Sequence, residues 1–103
     1  MRIAKRPRFL LDLAEEFTWL KENAGSDVAE RWYVALMETI EFVRKNPHVG
    51  REREDLSPEG IRSWRIGRFP RWLIFYSIKE GKEIVLYRIR SGTMNLVVMK
   101  MES

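Results

Sequence analysis

The sequence has no cysteine and a single histidine among its 103 residues. Without thiols, disulfide frameworks, thiolate nucleophiles and cysteine-ligated zinc or iron–sulfur sites are excluded. With His48 as the only imidazole, a histidine-rich metal site is excluded and a Ser-His-Asp triad has no choice of members. Glycine-rich phosphate loops, Walker patterns and dinucleotide fingerprints are missing. So are internal repeats, low-complexity segments and any apolar run near the roughly 18–20 residues that cross a bilayer. The basic start, Met1-Arg2-Ile3-Ala4-Lys5-Arg6-Pro7-Arg8, leads into an acid-bearing amphipathic stretch and does not read as a signal peptide. A cytoplasmic protein with no cofactor, metal or membrane partner is expected.

What remains is 45% hydrophobic and 33% charged, with a net charge of +4. The length suits one domain over residues 1–103, with roughly 65% of the unfolded surface buried around a modest core. The charge is uneven. Residues 1–60 hold ten Lys/Arg against twelve Asp/Glu, and residues 61–103 hold nine against three. A basic second half points to an acidic partner, either nucleic acid or an acidic protein segment.

The first half reads as helix. After Pro7, a favourable helix start, Phe9, Leu10, Leu13, Phe17 and Leu20 recur at helical spacing as far as Gly25, a C-terminal cap. Asp27 and Glu30 have capping-box spacing and open a second helix. Its stripe is Trp32, Leu36, Ile40 and Val43, widened by Val28, Tyr33 and Met37, and Asn46-Pro47 ends it. Residues 48–60 are charged, carry Gly50, Pro58 and Gly60, and read as loop. Three strands follow, at Ile61–Ile66, Arg71–Ile78 and Glu83–Arg90, the last two apolar enough to be central. Ile3–Lys5 suits a short edge strand, and Leu96–Met101 a further strand or packed tail. The expected fold is α+β, a helical hairpin packed on a small, mostly antiparallel sheet in β-α-α-β-β-β order.

Arginines concentrate in the strand region, at Arg62, Arg65, Arg68, Arg71, Arg88 and Arg90. Arg88 and Arg90 share strand parity, whereas Arg62 shares parity with Trp64 and Ile66 and so faces the core side at an edge. Guanidinium forks suit phosphates and carboxylates. The plainer alternative pairs them with Glu52, Glu54, Asp55 and Glu83. Among the aromatics, Phe75 and Tyr76 are expected in the core, while Trp64 and Trp72 suit either core or interface. His48 is expected to be an ordinary loop residue.

The order of these features resembles the ParE/RelE toxin superfamily of type II toxin–antitoxin modules. The resemblance runs through the helical hairpin, Asn46-Pro47-His48-Val49-Gly50, Ile61-Arg62-Ser63-Trp64-Arg65, the block from Arg68 to Tyr76, and Ile84 to Gly92. It is strongest to the ParE-like branch. That branch implies a gyrase inhibitor without a catalytic site of its own, neutralised by a ParD-like antitoxin. Homodimers and toxin–antitoxin hetero-oligomers are both compatible with an exposed hairpin.

Carried onto this sequence, the resemblance implies target binding by Arg62, Arg65, Arg71, Arg88 and Arg90, and antitoxin binding by Trp64, Trp72 and Arg88. The RelE-like alternative is a ribosome-dependent mRNA endoribonuclease. Those enzymes commonly carry arginine three residues before the tyrosine matched by Tyr76, and a tyrosine near the C-terminus. Here the first position is Leu73, and no tyrosine follows Tyr87. On the ParE side, Arg88 and Gly92 match, but Ser91, Met94 and Asn95 replace a common His, Arg and Asp. A third alternative is a non-toxic binding module on the same fold.

Overall fold

The computed structural model describes residues 1–56 and 60–91. In chain order the elements are β1 (Arg2–Lys5), α1 (Pro7–Ala24), α2 (Ser26–Lys45), β2 (Arg51–Glu52), β3 (Arg62–Ile66), β4 (Phe69–Lys79) and β5 (Glu83–Ser91). The five strands form one sheet in the order β1-β5-β4-β3-β2, and both helices cover one of its faces. β1 runs parallel to β5, and the other neighbours are antiparallel. The α+β architecture and its element order match the sequence reading, with one addition. Two residues of the expected loop, Arg51 and Glu52, pair with Ser63 and Arg62 as β2. The Leu96–Met101 strand and positions Gly92, Met94 and Asn95 lie outside the described residues.

α1 starts on Pro7, whose fixed φ and missing N–H suit the first turn. Gly25 separates the helices at φ 96, a left-handed conformation that favours glycine. The expected capping box at Asp27 does not form. α2 begins one residue earlier, at Ser26, with Gly25 as N-cap and no side-chain cap, so Asp27 lies inside the first turn. There its charge favours the helix dipole instead. The apolar stripes hold in part. Phe9, Leu20, Trp32, Leu36 and Val43 are buried, but Leu10 is 49% exposed and Tyr33 lies at the surface, edge-on to Phe17.

β4 and β5 are apolar on both faces because both faces are covered. Trp32, Leu36, Ile66, Ile74, Tyr76 and Leu86 meet under the helices. On the other face Leu56 and Ile61 cover Phe75, Val85 and Tyr87. Phe75 and Tyr76 are therefore core residues, as their position in the strand implied. The segment before β2 is tied from below. The Tyr76 hydroxyl donates to the Pro47 carbonyl and accepts the Gly50 N–H, both at 2.8 Å. A Cβ at Gly50 would collide with the Tyr76 hydroxyl and ring, so this close approach explains the glycine. Among the described residues no helix is long and apolar enough to cross a membrane.

Candidate functional site

β5 outlasts β1. The parallel pairing ends at Lys5 opposite Leu86, yet β5 runs on to Ser91. Asp12 of α1 takes over the exposed strand edge, its carboxylate accepting the Ile89 N–H at 2.9 Å. Arg88 and Arg90 flank Ile89 with the same parity and close around that carboxylate. Arg88 makes a bidentate pair at 2.7 and 3.1 Å, and Arg90 Nη1 stands 3.7 Å from it. Asp12 and the Arg88 side chain are only 2% and 3% exposed. Two desolvated charges are stable here because the carboxylate accepts from both Arg88 and the Ile89 N–H, and the guanidinium donates to it twice.

Asp12 is the residue that sequence reasoning missed. It stands three residues after Phe9 and one before Leu13, inside the apolar stripe of α1, and a carboxylate on a buried stripe requires a cation across from it.

The β4–β5 register contains a bulge. Phe75 pairs with Arg88 and Tyr76 with Leu86, leaving Tyr87 as the extra residue. Beyond the bulge Leu73 pairs with Arg90 on one side and with Arg65 on the other. Arg65, Leu73 and Arg90 therefore form one row across three strands, and Arg71 shares the parity of Leu73 two residues away. This row is on the face away from the helices, where Leu73 packs beside Phe75. Arg65 and Arg71 are exposed and make no ion pair among the described residues. The Arg65 guanidinium rests 4.7 Å from the Trp64 ring centroid. Arg90 is 20% exposed, and its Nε is buried without a hydrogen-bond partner.

Arg62 lies elsewhere. It faces the helix side and donates to the Gly50 carbonyl at 2.8 Å and the His48 carbonyl at 3.3 Å. Its Nη2 pairs with Glu52 at 3.1 Å, the one partner that the plainer reading of these arginines anticipated. His48 is exposed, and its carbonyl accepts from Arg62. Of the expected arginines, the fold thus joins Arg65 and Arg90 in one row with Arg71 nearby, engages Arg88 internally, and gives Arg62 to the loop.

The two tryptophans occupy different settings. Trp64 is half-buried and stacks on exposed Phe42 at 6.2 Å and 19°. Trp72 pairs with Ser91 across the strands and packs edge-on against Trp32 and Phe69. Its indole N–H is buried without a hydrogen-bond partner, yet it lies close enough to Glu16 to favour that carboxylate. Burial pushes the Glu16 carboxyl above the ordinary value, and the Trp72 indole and Arg90 offset this only in part. Among the described residues no three His, Asp or Glu side chains gather to hold a metal ion.

Comparison with known proteins adds a family. A model described as "ParE toxin of type II toxin-antitoxin system, parDE" matches residues 3–96. Among solved structures, a chain titled "Chromosomal ParDE TA system from P. aeruginosa" is similar at a TM-score of 0.72 and 20% identity. The alignment covers 88% of this chain and 95% of that one, and at this identity it speaks to fold alone. No curated protein matches.

Proposed function

The chain belongs to the ParE toxin family of type II toxin–antitoxin systems, and from that premise we propose that, when free, it inhibits DNA gyrase in the cytoplasm and is neutralised by a ParD-like antitoxin. The observation that carries the reading is the family match over residues 3–96, joined to the arginine row that the sheet presents. The mechanism is capture of a surface. Arg65, Arg71 and Arg90 offer guanidinium forks to phosphates or carboxylates of the gyrase–DNA complex. Arg88 serves from inside by clamping β5 to Asp12, and Arg62 by fixing the loop before β2. An acidic antitoxin segment covers the same end of the molecule, taking its apolar contacts from Trp64 and Trp72. The endoribonuclease reading has less support, because Leu73 fills the centre of the row between Arg65 and Arg90.

Supercoiling by purified gyrase, titrated with the isolated chain, tests this reading. Inhibition is expected, and Arg65→Glu combined with Arg71→Glu should weaken it about tenfold or more with little change in thermal unfolding, since both side chains are exposed and neither has an ion-pair partner among the described residues. Undiminished supercoiling at saturating protein would refute it.

A further inference from the structure

The sheet face away from the helices is hollowed at the end remote from the arginine row. Ala4 pairs with Val85 and Val85 with Ser77, so these three stand side by side across β1, β5 and β4. Ala4 and Ser77 are short, whereas Leu73 and Phe75 fill the same face further along β4. The resulting hollow is about 530 Å³, and Gly60 forms part of its rim. That volume lies within the range of cavities that hold small ligands, about 300–1,000 Å³.

One end of the hollow suits an anion. Tyr87, the extra residue of the β5 bulge, accepts a hydrogen bond from Ser77 Oγ at 3.2 Å, which leaves its own proton free to donate. The Arg6 guanidinium lies over the Tyr87 ring, 5.6 Å from its centroid. Stacking occupies the flat face of the guanidinium and leaves its N–H edge available. Arg6 has no ion-pair partner among the described residues. The other end is mixed in charge. Lys79 and Glu83 are cross-strand partners that both line the hollow without forming an ion pair, and Glu80 stands beside them. An ammonium donor next to a carboxylate acceptor complements the edge of adenine, whose exocyclic amine donates while a neighbouring ring nitrogen accepts. From Tyr87 to Glu83 is four residues of strand, about 13 Å. A mononucleotide spans a similar length from its phosphate to the edge of its base.

We propose that this hollow binds a free adenine mononucleotide. Its phosphate meets the Arg6 guanidinium and the Tyr87 hydroxyl, and its ribose lies over Ala4 and Val85 within reach of Ser77. The edge of its base lies between Lys79 and Glu83. A longer nucleic-acid strand fits poorly, because its next phosphate would approach Glu80 and Glu83. None of these side chains belongs to the row of Arg65, Leu73 and Arg90, so the site is separate from the proposed gyrase contact and does not rest on it.

Titration of the isolated chain with adenosine monophosphate, followed by amide NMR, tests the proposal. Saturable shifts are expected at Ser77, Val85 and Tyr87. Arg6→Ala removes the anion contact and should weaken binding about tenfold or more. Ala4→Leu fills the floor while leaving every polar group in place, and should weaken it comparably. Thermal melts of both variants confirm that each remains folded. Adenosine and inorganic phosphate should each bind at least about tenfold more weakly than the nucleotide, since each engages one end only. No saturation at millimolar nucleotide, shifts confined to the arginine row, or binding indifferent to both substitutions would overturn the proposal. Inorganic phosphate binding as tightly as the nucleotide would also overturn it, as would a single-stranded oligonucleotide that binds here more tightly than the nucleotide.

Discussion

Asp12 and Arg88 set the limits on what a mutation at this site can mean. Removing one member of a buried, hydrogen-bonded ion pair leaves an uncompensated charge and costs about 3–5 kcal/mol. Asp12→Asn should therefore lower stability by about that amount in chemical denaturation, and Arg88→Glu, which sets two carboxylates together, should prevent folding. Loss of toxicity in an Arg88 variant would thus report a lost fold, whereas loss in Arg71→Glu or Arg65→Glu with an unchanged melt would report a lost contact. Glu16 gives a pH prediction. Because its carboxyl is raised by burial, the folded chain holds that proton more tightly than the unfolded chain. Stability contributed through Glu16 therefore falls as pH rises from the ordinary carboxylate value, about 4.3, through the raised one. Glu16→Gln should be at least as stable as the natural chain at neutral pH, with a flatter profile on the alkaline side of the ordinary carboxylate value, measured by thermal melts from acid to neutral pH. The Arg88 side chain was visible in the sequence as a strand cation, but its partner was not. Strand parity cannot show that β1 stops at Lys5 and that α1 then caps the bare edge of β5.

The helices and central strands were legible because each signal acts locally. Pro7 and Gly25 bound α1, and the 3.6-residue stripe selects its inward face. β4 and β5 were legible as runs of apolar residues bounded by turns. β2 was not, because Arg51 and Glu52 are both charged and exposed, and only the register with β3 makes them a strand. The capping box failed because Gly25 supplies the left-handed corner itself and moves the helix start to Ser26. The β4–β5 turn offers a test at this scale. Glu80 and Gly81 sit at φ 55 and 67, two successive left-handed residues. Such a turn favours asparagine before glycine. Glu80→Asn should raise stability by about 0.5–1 kcal/mol in urea unfolding, through relief of backbone strain alone.

At the scale of the whole molecule, the fold divides structural work from surface presentation. The helix-covered face holds the larger core, and the far face carries the Arg65–Leu73–Arg90 row beside a smaller core under Leu56 and Ile61. The uneven charge of the sequence was the first sign of this division; strand parity placed Arg62 on the core side, but nothing in the sequence showed that Arg88 would be engaged internally. The family match and the shared fold establish a ParE toxin chain, and the central claim is that such a chain stops DNA synthesis through gyrase. Inducing this chain alone in bacterial cells, while following labelled DNA and protein precursors separately, tests that claim most directly. The account predicts that DNA synthesis falls first and that translation follows later. Translation falling first, or growth continuing with both intact, would contradict it.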